Sequence, residues 1–310
     1  TEGFTDIPNS QMRNVIARRL GESKFSAPHF YLTMEINMDN AMAARTQLNE
    51  ISPAKISFND MVVKAVALAL RQHPEVHAVS MVHHETTTGS INPVKEIAEV
   101  VDSLNRVFVL DSVSGLAGEP IDIAGSHIYM VAGTAGKCIQ GFPGVSFVLL
   151  RKGFLERMRN YPKRSWYLHL THYVDDQGKG IVPFTPAVQI YYAFEEALNE
   201  LLEEGVANRC QRYKRMAVRI RERMANLGVK TLLPADSLSN TITAFHLPPG
   251  ISYATLHDQL KARGYVIYAG QGQLESKIFR IANMGALTEL QIDGFLAAFE
   301  EVVTGAVARA

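Results

Sequence analysis

Between residues 76 and 155 short apolar runs alternate with helical stretches, and this rhythm commits the segment to a largely parallel sheet crossed by helices. The runs are Val79-Ser80-Met81-Val82, Arg106-Val107-Phe108-Val109-Leu110, Ile128-Tyr129-Met130-Val131 and Ser146-Phe147-Val148-Leu149-Leu150, with a helix expected from Pro93 through Val101. Parallel sheets present their reactive groups at the C-terminal ends of strands. Two of these ends carry chemistry. One run stops at Asp111. Another leads into the small-residue loop Ala132-Gly133-Thr134-Ala135-Gly136-Lys137-Cys138-Ile139-Gln140-Gly141-Phe142-Pro143-Gly144.

A lysine and an aspartate at neighbouring strand ends match what pyridoxal 5'-phosphate asks of a protein. The lysine holds the cofactor as a Schiff base, and the carboxylate keeps the pyridine nitrogen protonated so that the ring accepts electrons. Plainer readings stand beside this one. A lysine on a Gly-rich loop can simply be solvated, and Asp111 can be a helix cap.

The flanks read differently. In residues 1–75, Met12, Val15, Ile16 and Leu20 fall at helical spacing with Arg13, Arg18 and Arg19 between them. Pro28 ends that helix, and Phe30, Leu32, Met34 and Ile36 alternate as a half-buried strand. Asp39 is expected to cap a helix through Leu48. Ser57 and Asp60 resemble a capping box that opens a helix to Arg71, apolar on most sides and therefore expected to be central. Residues 186–310 mix helices (187–204, 207–227, 253–263 and 288–303) with strands at Thr241–Phe245, Val266–Tyr268 and Ile278–Ala282, the pattern of a small α+β domain. The basic run from Arg209 to Arg223 reads as the exposed face of an amphipathic helix.

Formal net charge is zero, and hydrophobic and charged residues make up 47% and 20% of the chain, which suits a soluble globular protein. Nothing there invites nucleic acid or an anionic membrane, and no apolar run is long enough to span a bilayer. The polar N-terminus argues against a signal peptide. The two cysteines, Cys138 and Cys210, make no disulfide framework, so a cytoplasmic setting is expected. The chain opens on Thr1, which suggests a fragment or a processed form. No ligand set with metal spacing is present; His83 and His84 read as packing or turn residues.

Five motifs then occur in one order: Val82-His83-His84-Glu85-Thr86-Thr87-Thr88-Gly89, Leu110-Asp111-Ser112-Val113-Ser114-Gly115, Gly136-Lys137-Cys138-Ile139-Gln140-Gly141, Pro183-Phe184-Thr185-Pro186 and Phe279-Arg280-Ile281-Ala282-Asn283-Met284-Gly285. In this order they resemble the class V aminotransferases from about His73 to the end. The resemblance implies a partial fold-type-I large domain over 76–185, a C-terminal small domain over 186–310, and a homodimer. Lys137 would hold the cofactor and move the proton. Asp111 would pair with the pyridinium. Thr86, Thr87 and Thr88 would bond its phenolic oxygen, and Thr185 would reach the phosphate of the partner's site. Arg280 would grip the substrate carboxylate in a two-pronged fork; on residues alone it could be a surface ion pair. The implied reaction moves an amino group from a small phosphonate amine, 2-aminoethylphosphonate foremost, to pyruvate. Gly136 departs from the family, which usually has a larger polar residue before the lysine. Trp166 and Tyr167 either line a substrate mouth or pack at a domain edge.

Residues 1–75 resemble something else. Met12-Arg13-Asn14-Val15-Ile16-Ala17-Arg18-Arg19-Leu20, Pro28-His29-Phe30-Tyr31-Leu32 and Ser57-Phe58-Asn59-Asp60 are similar to the start of a dihydrolipoamide acyltransferase catalytic domain, an α/β segment. That family's His-x-x-x-Asp-Gly is absent: His172 has Asp176 at the right offset but Gln177 in place of glycine. The two resemblances meet near His73-Pro74-Glu75-Val76, which implies a fusion or chimera. The front segment holds only Gly3 and Gly21, neither in a phosphate-cradling turn, so cofactor affinity is expected to suffer. The alternatives are an acyltransferase-derived assembly module and an inactive fusion. The expected weak point is the sheet edge near Val79–Val82, exposed and prone to aggregate.

Overall fold

A computed structural model of the chain describes residues 37–307, apart from 54 and 164. The expected helix over 12–20 with Arg13, Arg18 and Arg19, and the expected strand over 30–36, lie outside the described residues. The chain divides into two compact units, Thr1–Phe58 and Asn59–Ala310.

In the first unit, helix α1 (Asp39–Ile51) is preceded by Asn37, whose Oδ1 accepts the Asp39 N–H at 2.8 Å. The capping oxygen is therefore that of Asn37, and Asp39 sits in the first turn, where its charge complements the helix dipole. Asn49 closes the following turn: Ile56 N–H donates to its Oδ1 at 2.6 Å, and its Nδ2 donates to Ile56 O at 3.0 Å.

The second unit follows this order. Helix α2 (Phe58–Gln72) leads to strand β1 (Ala78–Val82), the hairpin β2 (His84–Glu85) and β3 (Ser90–Ile91), helix α3 (Val94–Ser103), and strands β4 (Val107–Asp111), β5 (Met130–Thr134) and β6 (Ser146–Leu150). Helices α4 (Lys152–Arg159), α5 (Leu170–Gly178), α6 (Val188–Glu204) and α7 (Val206–Asn226) come next. Strand β7 (Ile242–His246), helix α8 (Tyr253–Lys261), strands β8 (Tyr268–Ala269) and β9 (Ile278–Ala282), and helix α9 (Glu289–Val307) complete it.

The first sheet has the order β1-β4-β5-β6. β1, β4 and β5 are parallel and β6 is antiparallel, so the sheet is mainly parallel, as the sequence rhythm predicts. Val101, Phe108, Leu110 and Val131 form its dry centre, joined by Leu70 of α2. β1 takes the sheet edge, and Val82 is exposed there. The sequence reading ends one strand at Val131, whereas β5 starts at Met130 and runs to Thr134. Antiparallel pairing with β6 draws the small residues into the ladder, with Gly133 opposite Phe147. A Cβ at Gly133 would lie 2.5 Å from the Phe147 ring, so the small residue is what lets the ring lie across the strand.

α2 is not central. It buries only Leu70, with Val63 and Val66 against the same core, while Val62 and Leu68 are exposed. One face meets the sheet; the opposite apolar face meets no second layer among the described residues. Helices α4 and α5 escape the sequence reading because they bury almost nothing, Thr171 alone between them.

The second sheet, β7-β9-β8, is antiparallel. Phe245, Phe279 and Phe299 stack through its core, with ring centroids 5.5 and 5.6 Å apart, and α7, α8 and α9 cover it. The hairpin of the first half abuts this sheet at Gly89. Its φ is +76°, a Cβ there would lie 2.6 Å from Ile242 O, and its carbonyl accepts the Ser239 N–H at 2.9 Å. Gly89→Ala is expected to cost about 2–4 kcal/mol, from a left-handed conformation plus a backbone clash. Denaturant unfolding checks this; an unchanged midpoint would contradict the close approach. Among the described residues, no helix is long and apolar enough to cross a membrane.

Candidate active site

Lys137 lies in the turn that follows β5, and it lines a cavity of about 710 Å³. Thr86, Gly136, Tyr265, Tyr268 and Arg280 share the wall. Lysine and arginine come from opposite sides: Lys137 from the end of the first sheet, Arg280 from the middle of β9 in the second.

Arg280 is half-buried. Its Nε donates to Ala269 O at 2.9 Å and its Nη1 to Thr86 O at 2.8 Å. These carbonyls fix the guanidinium plane, and no described carboxylate lies within salt-bridge distance of it. A surface ion pair is thus not its role in this fold. A positioned guanidinium without an acidic partner can receive a ligand's carboxylate.

Asp111 ends β4, paired in register with Ala132 of β5, five residues before Lys137. Its Oδ1 accepts the Val113 N–H at 3.0 Å, which secures a turn; no helix follows for it to cap. The carboxylate is exposed at the same sheet end as Lys137 but is not part of the cavity wall. Of the three threonines only Thr86 reaches the cavity. Thr87 donates through N and Oγ1 to Glu85 Oε1 at 2.9 and 2.8 Å, and Thr88 Oγ1 donates to Ser90 Oγ at 3.3 Å. Thr185 is exposed ahead of α6, away from this wall. Trp166 and Tyr167 are exposed too. Tyr167 packs with Tyr173 and Phe184, and Lys163 Nζ lies 3.5 Å from the Trp166 ring centroid, so neither lines the cavity.

The two histidines are buried. Burial pushes His83 down to about 4, and its Nδ1 pairs with Ser112 Oγ at 2.9 Å. Burial also lowers His84, and the Lys137 charge adds to that. The Ser114 carbonyl, 3.1 Å from His84 Nδ1, can only accept, so Nδ1 carries the hydrogen and Nε2 is the bare acceptor. That Nε2 is buried without a hydrogen-bond partner among the described residues. A ligand donor would satisfy it. The Lys137 amine and the Arg280 guanidinium, held by two carbonyls and with no acidic partner among the described residues, line one cavity and fit a pyridoxal-type group, while the unsatisfied His84 imidazole lies outside that wall.

Cys138, next to the lysine, is pushed up to about 12 by burial and Cys210 to about 11, so both thiols stay protonated. Burial raises Glu119 to about 7; its Oε1 accepts the Asn240 N–H at 2.6 Å. His172 Nε2 and Asp176 Oδ2, 3.5 Å apart, are an i,i+4 pair along α5 and no acyl-transfer centre. Nor is the basic run of α7 simply solvated. Arg209 is 2% exposed, its Nε is 2.7 Å from Glu204 Oε2, and its Nη1 donates to Ile139 O at 3.0 Å. The sequence signal for this lay in the register: Arg209 shares the buried face of α7 with Tyr213, Met216 and Ile220. Tyr265 and Tyr268 in the wall carried no sequence signal of their own.

Comparison with known proteins finds relatives over most of the chain. The chain is 36% identical over 248 residues to a 2-aminoethylphosphonate–pyruvate transaminase of Klebsiella pneumoniae, covering 77% of this chain and 66% of that protein. The one from Syntrophobacter fumaroxidans is 40% identical over 222 residues, covering 70% and 59%. The chain thus spans less than two thirds of the length of these relatives. Among solved structures, alanine–glyoxylate aminotransferase from Nostoc sp. shares the fold with a TM-score of 0.73 at 23% identity, over 80% of this chain and 66% of that one. Pyridoxamine–pyruvate aminotransferase from Mesorhizobium loti gives 0.70 at 25% identity, over 80% and 64%. Residues 1–92 match the 2-oxoacid dehydrogenases acyltransferase (catalytic domain) family, a stretch that runs past the tetrapeptide at 73–76.

The fold and the relatives together define an α/β protein of the aminotransferase type. The chain belongs to the class V aminotransferases, fused to a front segment of the acyltransferase family.

Proposed function

We propose that this chain catalyses amino transfer from a small phosphonate amine, 2-aminoethylphosphonate foremost, to pyruvate, with pyridoxal 5'-phosphate as cofactor. The observation that carries the reading is the shared cavity of Lys137 and Arg280; the relatives' names supply the substrates. When bound, the cofactor supplies an electron-accepting ring. Lys137 Nζ would hold it and would move the proton at the substrate carbon that bears nitrogen. Asp111, at the same sheet end as Lys137 though outside the cavity wall, would pair with the ring nitrogen, and Thr86, the one of the Thr86–Thr88 turn on the wall, would bond the phenolic oxygen. Arg280 grips the pyruvate carboxylate with its free edge. Thr185, exposed before α6, serves the phosphate of a second copy in a homodimer. The functional boundaries fall near 75 and 185. The free thiols Cys138 and Cys210 suit a cytoplasmic setting.

The sequence of the front segment holds only Gly3 and Gly21 and no Gly-rich phosphate motif, so the cofactor is supplied in excess. The test is alanine formation from pyruvate and 2-aminoethylphosphonate with saturating pyridoxal phosphate, on a sample whose mass in solution is measured by light scattering. Alanine is expected, from a dimer. A folded sample that makes none at any cofactor concentration would refute the reading.

A further inference from the structure

The loop that carries Lys137 is strained. Gln140 has φ +71°, a left-handed conformation that a side-chain-bearing residue keeps only where its surroundings enforce it. The enforcement comes from α7. Gln140 Nε2 donates to Tyr213 Oη at 2.6 Å, and the Tyr213 hydroxyl donates to Cys138 O at 3.3 Å. The same oxygen accepts the Gly285 N–H at 3.3 Å. A phenol has one hydrogen and two acceptor lone pairs, and here all three are used. Tyr213 is 0% exposed, and its main-chain carbonyl accepts from Asn283 Nδ2 at 3.1 Å.

Two of those partners belong to the lysine loop. The others, Asn283 and Gly285, belong to the chain that leaves β9, three and five residues beyond Arg280. Around the hydroxyl stands an ionic brace. Arg209 holds Ile139 O, Arg212 Nη1 donates to Gly285 O at 2.9 Å, and Glu204 joins both guanidinia, Arg212 Nε lying 2.6 Å from its Oε1. Arg212 holds the Glu204 carboxyl below its usual range.

We infer that the Tyr213 hydroxyl is a latch: it ties the Lys137 loop to the exit of β9 and so sets the spacing between the Lys137 amine and the Arg280 guanidinium. Tyr213 is a positioning residue, since it touches neither cavity nor ligand. The inference builds on the proposed use of the cavity. A substrate held at both ends tolerates little error in that spacing, because a misplacement of about 1 Å costs on the order of 100-fold in rate.

The test uses Tyr213→Phe, which keeps the ring, and Gln140→Leu, which removes the same bond from a half-exposed position and covers the case in which the first variant does not fold. Two readouts are compared with wild type. The first is amide hydrogen exchange, which needs no cofactor. Exchange is expected to quicken in Cys138–Gly141 in both variants, and in Asn283–Ala286 in Tyr213→Phe, which alone loses the bond to the Gly285 N–H, with β7 and α8 unchanged. The second is kinetic: turnover is expected to fall by about 10- to 100-fold while the KM for pyruvate stays within about twofold. The double variant is expected to be no worse than Tyr213→Phe alone, since the bond that Gln140→Leu removes is one of the three lost with the hydroxyl. Unchanged exchange in the two segments, or faster exchange throughout both sheets, would overturn the latch. If wild type makes no alanine, the proposed function falls while the exchange measurement still decides the latch.

Discussion

Lys137→Ala is expected to abolish amino transfer and cofactor capture together. Wild type with pyridoxal phosphate should turn yellow as the lysine amine takes the aldehyde, and borohydride should then fix the cofactor's mass on the peptide containing Lys137. The variant should show neither, with turnover down by at least about 10⁴-fold, the scale on which removal of a covalent or proton-moving group is felt. The substitution should leave the fold intact, because Lys137 is exposed in a turn and its backbone bond, from Gln140 N–H to Lys137 O at 2.9 Å, does not need the side chain. A variant with wild-type colour and label would move the chemistry to another residue.

The second large effect concerns Arg280. Arg280→Gln removes the charge that would receive pyruvate's carboxylate, and a bidentate charged pair is worth about 3 kcal/mol, so KM for pyruvate should rise about 100-fold. Capture of the cofactor by Lys137 should survive. Arg280→Lys keeps the charge but loses the fork and the bonds to Ala269 O and Thr86 O, and it should recover only a small part of the affinity. Equal loss of pyruvate affinity and cofactor capture in both variants would show that Arg280 only props up β9 and the hairpin.

The strands of both sheets, apart from β8, expected at Val266–Tyr268 and found at Tyr268–Ala269, were legible because each is a short apolar run bounded by turn residues, and α6, α7, α8 and α9 because their apolar residues recur at helical spacing. Lys137 and Arg280 were legible as a pair only through motif order; nothing local says that residues 143 positions apart face one cavity. That requires the hairpin at Gly89 to touch β7, a contact made by a residue without a side chain and hence invisible to periodicity. Helix α2 misled for a related reason. Its composition reports how apolar it is, but position is decided by how many layers are present to cover it. Arg209 misled because charge suggests solvent, whereas its partners Glu204 and the Ile139 carbonyl lie across a helix joint and in a distant loop.

The two native cysteines are both buried and firmly protonated, which has a practical side. Maleimide dyes need an accessible thiolate, so a cysteine engineered at Ile51 or at Leu290, each 82% exposed, would be labelled against almost no background. A donor fluorophore at one and an acceptor at the other would turn the chain into its own ruler, reading out the distance between the two labelled positions.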